Sequence, residues 1–180
     1  MSNSGNERIG VFIDSVSLQH ATDALQMRID FKRLLLMYQQ QGRLVRANYY
    51  AVASPQQGQD TLRPLLDWLS YNGFNVMKRT SRYADDVANM LALAIDISVD
   101  AMQLSAHVDH VVLFSACGRL QRLIRALKSM GRRVSVVSTL HGQCVDDELR
   151  READTFLDLD DLRPILGAEL KRSREEPEPR

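Results

Sequence analysis

Cysteine is scarce in this 180-residue chain: Cys117 and Cys144 are the only two. That is too few for a disulfide scaffold and suits a reducing compartment. An excess of either charge is also lacking. Lys plus Arg and Asp plus Glu number 23 each, so overall charge argues neither for nor against a polyanionic partner. Only local clusters can make that case. The amino-terminal MSNSGNER has no apolar stretch of the signal-peptide kind. No segment approaches the roughly 20 apolar residues of a membrane span, so a cytoplasmic protein with no membrane attachment is expected. No Gly-rich phosphate fingerprint follows the first apolar strand, where IDSVSL stands, which speaks against a dinucleotide cofactor. Neither a repeat nor a linker interrupts the chain.

What is present alternates. Apolar residues 9–13 read as a strand ending at Asp14, after which Ser15 or Ser17 can cap a helix carrying Leu18, Ala21, Ala24 and Leu25. A second helix starts at Asp30 and closes at Gly42. Residues 44–53 form the next strand, broken by Ser54-Pro55. Leu62, Leu65, Leu66 and Leu69 mark an amphipathic helix ending at Asn72-Gly73, and 74–77 is a strand leading into Lys78, Arg79 and Arg82. A long helix is expected over 85–105. Residues 111–114 are too short an apolar run for a helix and read as a strand buried on both faces. A helix then opens at Gly118 and stops at Gly131. Residues 134–137 form a core strand, 146–153 a short charged helix, 155–157 an edge strand and 160–166 a last turn of helix. Tyr49, Tyr50, Trp68 and Tyr71 fit these patterns as core residues. The organisation expected is a flexible leader at 1–7, one domain over 8–166 and a charged, disordered tail at 167–180.

Strands alternating with amphipathic helices imply a single three-layer α/β/α domain of Rossmann-like type, with a parallel sheet between two helical layers. Right-handed crossovers gather the carboxyl ends of the strands along one edge, where ligands bind. Asp14 and Cys117 both belong to that edge. Around Cys117 the sequence is Ser115-Ala116-Cys117-Gly118-Arg119-Leu120, with no carboxylate.

These two stretches resemble bacterial NYN-domain proteins of the LabA-like group, in the PIN-like nuclease superfamily. The likeness runs through IDFKRLL (29–35), GRLVRANYY (42–50), LRPLLDWLSYNGF (62–74), HVDHVVLFS (107–115), RRVSVVST (132–139) and DELRREADTF (147–156). The resemblance implies a ribonuclease family whose clustered acids hold Mg²⁺ or Mn²⁺. Its first motif, Asp-Gly-x-Asn-Leu, keeps Asp14 but has Ser15 for Gly and Ser17 for Asn. In its second, Asp100 stands at one acidic position and Ala94 at the other. In its third, Ser-Gly-Asp-x-Asp-Phe, Cys117 and Arg119 replace both acids and Leu120 the Phe. Asp14 and Asp100 are then the remnant catalytic and metal-binding acids, at most a weak metal site.

Hard divalent ions need oxygen ligands. Arg119 puts a permanent positive charge where the ion would sit. It either replaces the metal as a counter-ion for Asp14 or Asp100, or simply lies on a solvated helix face. Cys117 at a helix amino terminus beside Arg119 admits a lowered thiol pKa, or a small buried hydrophobe. Asp96 reads as a surface acid, and Asp85 and Asp86 as favourable charges at a helix start. Arg119, Arg122, Arg125 and Lys128 form a basic stripe. With Lys78, Arg79 and Arg82 it would meet RNA phosphates.

Three functions are compatible with this pattern. The first is a catalytically impaired NYN domain, a pseudoenzyme acting as an RNA-binding or protein-binding regulator without a cofactor. The second is an active Mg/Mn-dependent RNA endonuclease recruiting Asp85, Asp86 or Asp146. The third is a partner-protein or small-molecule module without nucleic acid, as a homodimer or with another protein.

Overall fold

Six parallel strands form one sheet in the spatial order β3-β2-β1-β4-β5-β6. The structure, a computed structural model, describes residues 7–53, 62–80 and 85–168. Its strands are β1 (Arg8–Asp14), β2 (Arg43–Ala53), β3 (Phe74–Thr80), β4 (His110–Phe114), β5 (Arg133–Ser138) and β6 (Thr155–Asp158). Helices α1 (Ser15–Ala24) and α2 (Phe31–Gln41) connect β1 to β2, and α3 (Arg63–Tyr71) connects β2 to β3. On the return, α4 (Asp86–Leu104), α5 (Gln121–Ser129) and α6 (Asp147–Glu152) lead into β4, β5 and β6 respectively, and α7 (Arg163–Leu166) closes the fold. The chain winds outward from β1 through β2 and β3, then comes back to lay β4 against the other side of β1.

Side-chain alternation divides the sheet between two cores. Ile9, Val11 and Ile13 pack with Leu18, Leu34, Tyr38 and Leu69 under α1, α2 and α3. Phe12, Tyr50, Val111 and Leu113 pack on the opposite face with Leu93, Ile97, Ile124 and Leu127 from α4 and α5. Burying such aliphatic side chains stabilises the fold by about 1.5–3 kcal/mol each. The single α/β domain with a parallel central sheet is therefore the architecture that the apolar runs imply.

Several details differ from expectation. Asp14, rather than Ser15 or Ser17, caps α1, because its carboxylate reaches the amides of Val16 and Ser17. The segment opening at Gly118 makes one tight 3₁₀ turn, Gly118–Leu120, before α5. Trp68 and Tyr71 are exposed on α3 rather than core residues. Gly167 bridges Ile29, and the Ala168 amide donates to the Arg28 carbonyl, so ordered pairing continues past residue 166. The expected Ser54-Pro55 break, Arg82, most of the leader and most of the tail lie outside the described residues.

The helical run Asp86–His107 corrects another expectation: with mean hydropathy 1.4 it is long and apolar enough, by length and composition, to cross a membrane. Here one of its faces covers the sheet through Leu93, Ala94, Ile97 and Ala101.

Candidate functional site

The sheet order reverses between β1 and β4, and the crevice at the carboxyl ends of these strands is the binding place such topologies provide. Asp14 and Ser115 meet there. The Asp14 side chain is fully buried. Its Oδ1 accepts from the Val16 amide at 3.0 Å and the Ser17 amide at 3.2 Å. Its Oδ2 accepts from the Ser17 hydroxyl at 2.6 Å and the Ser115 hydroxyl at 3.2 Å. A carboxylate offers about four lone-pair sites, and protein donors occupy all of them. Burial pushes the Asp14 carboxyl above the usual carboxylate range, and the hydrogen bonds from Ser17, Ser115 and Val16 only partly oppose it. Tyr49, also buried, is pushed up to about 12 by burial and then by the Asp14 charge.

Asp100 is elsewhere. Helix α4 runs back along the sheet from Asp86, which meets His20 of α1 at 2.9 Å. Asp100 stands about 20 Å further along the helix axis, where its Oδ2 accepts from the Tyr50 hydroxyl at 2.7 Å. The Tyr50 backbone pairs with Asp14, yet among the described residues no hydrogen-bond partner is shared by the side chains of the two acids. Ala94 packs in the core beneath α4, and Ser17 is buried on Asp14. Among the described residues, no three His, Cys, Asp or Glu side chains converge as metal ligands. The acids considered as recruits are engaged as well. Asp85 caps α4, Asp86 pairs with His20, and Asp146 caps α6 through the Glu148 and Leu149 amides.

The counter-ion role for Arg119 is overturned. Its side chain is exposed and forms no ion pair with Asp14, whose four lone-pair sites are taken by protein donors, or with Asp100, which accepts from Tyr50. The reactive reading of Cys117 fails too: the thiol is buried and free, and burial raises its pKa more than the Arg119 amide lowers it. Half of the basic stripe is neutralised by neighbouring acids. Arg125 pairs with Glu152 at 2.8 Å and Lys128 with Asp154 at 3.1 Å. Arg79 of β3 is held by Asp96 of α4. Lys78, Arg119 and Arg122 are exposed and have no ion pair among the described residues.

Two of the clefts near this edge hold residues considered above. The larger, about 880 Å³, is lined by Ser15, His20, Tyr49, Asp86 and Asn89 among others. The smaller, about 420 Å³, is lined by Cys117, Gly118, Arg119, Arg122, Asp146 and Glu148. Asp14 lines neither. Sequence reasoning missed Ser115 as a partner of Asp14 and Tyr50 as the partner of Asp100. The position of Ser115, directly after β4 as Ser17 closely follows β1, was the only local signal for the first. Nothing local signalled the second.

The NYN domain profile matches residues 8–160. The chain is 27% identical over 178 residues to the low amplitude and bright protein LabA of Synechococcus elongatus, covering 96% of this chain and 91% of that protein. It also superposes, with a TM-score of 0.74 and 23% identity, on the crystal structure of a protein of unknown function from Vibrio parahaemolyticus, covering 92% of this chain and 99% of that one. The second likeness concerns the fold alone.

Proposed function

The chain belongs to the NYN domain family, and from that premise we propose a member whose metal-dependent RNA hydrolysis is impaired and which regulates by binding. The observation that carries this reading is the closed shell around Asp14: no accessible surface, and four protein donors on one carboxylate. A Mg²⁺ or Mn²⁺ ion needs open oxygen ligands and room for the water it activates. At Asp14 it would have to displace the Ser17 and Ser115 hydroxyls. Asp100, held by Tyr50, shares no ligand geometry with it. The donor set does not fit the ion.

RNA is the ligand the remaining cations suit best. Arg119 and Arg122 line the smaller cleft without ion pairs among the described residues, and Lys78 is exposed at the end of β3. Arginines are well shaped for bidentate phosphate contacts. Asp146 and Glu148 line the same cleft, so few phosphates are held at once and binding is sequence-blind.

The test is labelled single-stranded RNA incubated with Mn²⁺ or Mg²⁺ and then with chelator, scoring cleavage and gel shift together. The expected result is a salt-sensitive shift, weakened in Arg119→Ala/Arg122→Ala, with no chelator-sensitive cutting. Cutting that chelator stops and Asp14→Ala abolishes would restore the ribonuclease. Neither shift nor cutting would leave a module for proteins or small molecules.

A further inference from the structure

The outer face of α4 is apolar from end to end. Val87, Leu91, Ile95, Val99 and Met102 are 61, 39, 65, 51 and 41% exposed, and successive members lie one helical turn apart. No charge interrupts this stripe. The charged residues of α4 are Asp86, Asp96 and Asp100, and each is drawn aside to His20, Arg79 or Tyr50 on other elements. Summed over five side chains the stripe offers about 400 Å² of contiguous apolar surface, within the range of the largest, often functional, patch on a monomer.

We propose that α4 docks a second copy of this chain, forming a two-fold homodimer through the stripe of Val87, Leu91, Ile95, Val99 and Met102. The spacing is self-complementary. Ile95 sits at the centre with Leu91 and Val99 one turn to either side, so an antiparallel copy sets each Leu91 against the other chain's Val99 and the two Ile95 side chains at the axis. A shallow crossing of about 20° keeps several turns of two such helices in contact. Two such stripes bury about 800 Å² on their own, and flanking residues bring the contact towards the 1,000 Å² or so of a specific interface.

Other occupants fit less well. Helices that lie on membranes carry Lys and Arg on their polar face, whereas α4 carries none and its acids repel anionic lipid. RNA would use the cleft of Arg119 and Arg122, which takes in only the first two stripe members, Val87 and Leu91; from Ile95 onward α4 carries no cation. The sequence KRSREEPEPR (171–180) is charged and has no apolar residue to fill the stripe.

Sedimentation of the full chain between about 1 and 100 µM decides the matter, since a dimer with a micromolar Kd dissociates within that range. The expected result is a dimer in the wild type and association at least about 100-fold weaker in Ile95→Asp, which buries two facing carboxylates at the axis. The circular dichroism spectrum of Ile95→Asp should match the wild type because the residue is exposed. Should that variant misfold, Ile95→Cys is the second probe: mild oxidation should cross-link it into a dimer while the wild type stays uncross-linked. A wild-type monomer at about 100 µM, above the dissociation constant expected of such a contact, would overturn the proposal. So would a dimer untouched by Ile95→Asp, or flotation with anionic vesicles that Ile95→Asp abolishes. These readouts use no RNA, so they stand or fall apart from the nucleic-acid reading.

Discussion

Asp14 and His110 carry opposite pH signatures, and both follow from burial. The Asp14 carboxyl is raised in the folded protein, so the native state holds its proton more tightly than the unfolded chain does. Its contribution to stability is present at acid pH and is lost as pH rises from the ordinary carboxylate value through the raised one. Asp14→Asn keeps the acceptor for the Val16 and Ser17 amides and supplies donors for the two serines. Chemical denaturation at neutral pH should therefore find this variant as stable as the wild type or more so; marked destabilisation would show that the charge itself is needed. His110 behaves in reverse. Burial first, and then Arg133, lower it to about 4, while its ring contacts Ser135 at 2.8 Å and Arg133 at 2.9 Å. It contributes stability above its ordinary pKa of about 6.5, and that stability is lost as pH falls towards about 4. His110→Gln should flatten thermal stability across that interval, as melting curves taken at half-unit steps would reveal. Cys117, buried with a raised thiol pKa, should resist alkylation near neutral pH until the protein unfolds.

At the scale of single elements, aspartate works chiefly as a helix cap. Asp14, Asp30, Asp85 and Asp146 each accept backbone amides at the start of α1, α2, α4 and α6. Apart from Asp30, these are the positions where acids could be mistaken for metal ligands. The turn before α5 depends on a glycine for a related reason. A Cβ on Gly118 would lie 2.4 Å from the Asp146 carboxylate. Gly118→Ala should displace that cap and cost about 1–2 kcal/mol, measurable by urea denaturation, whereas an unchanged midpoint would mean that Asp146 swings aside freely. Tyr50→Phe removes the one hydrogen bond shown at Asp100 and should cost about 1 kcal/mol without altering any RNA gel shift. A change in nucleic-acid binding in that variant would return Asp100 to the site.

Taken as a whole, the molecule has balanced charge, and its cations are mostly matched locally. Arg8 is held by Asp109 at 2.7 Å, and Arg133 by Glu7. Of the described basic residues expected to meet phosphate, only Lys78, Arg119 and Arg122 are exposed without an ion pair among the described residues, so RNA affinity through them should show a shallow salt dependence. A log-log slope of about −2 is expected for three phosphate contacts to a single strand, and a slope several times steeper would mean a larger interface than this one.

The apolar runs alone determined the element order, the parallel sheet and the carboxyl edge where Asp14 and Ser115 meet. Period and run length encode which face each element buries, and the handedness of crossovers leaves few ways to assemble them. Arg119 and Asp100 show where sequence stops. Whether an arginine points at a carboxylate, whether Asp14 has a free lone pair, and whether Tyr50 or a cation meets Asp100 depend on contacts between residues dozens of positions apart. Those contacts have no local signature in composition or spacing. Likewise the composition of α4 records that the helix is apolar but not what covers each of its faces. Only the packed sheet decided which side of that helix was left over, since it can cover one side and no more.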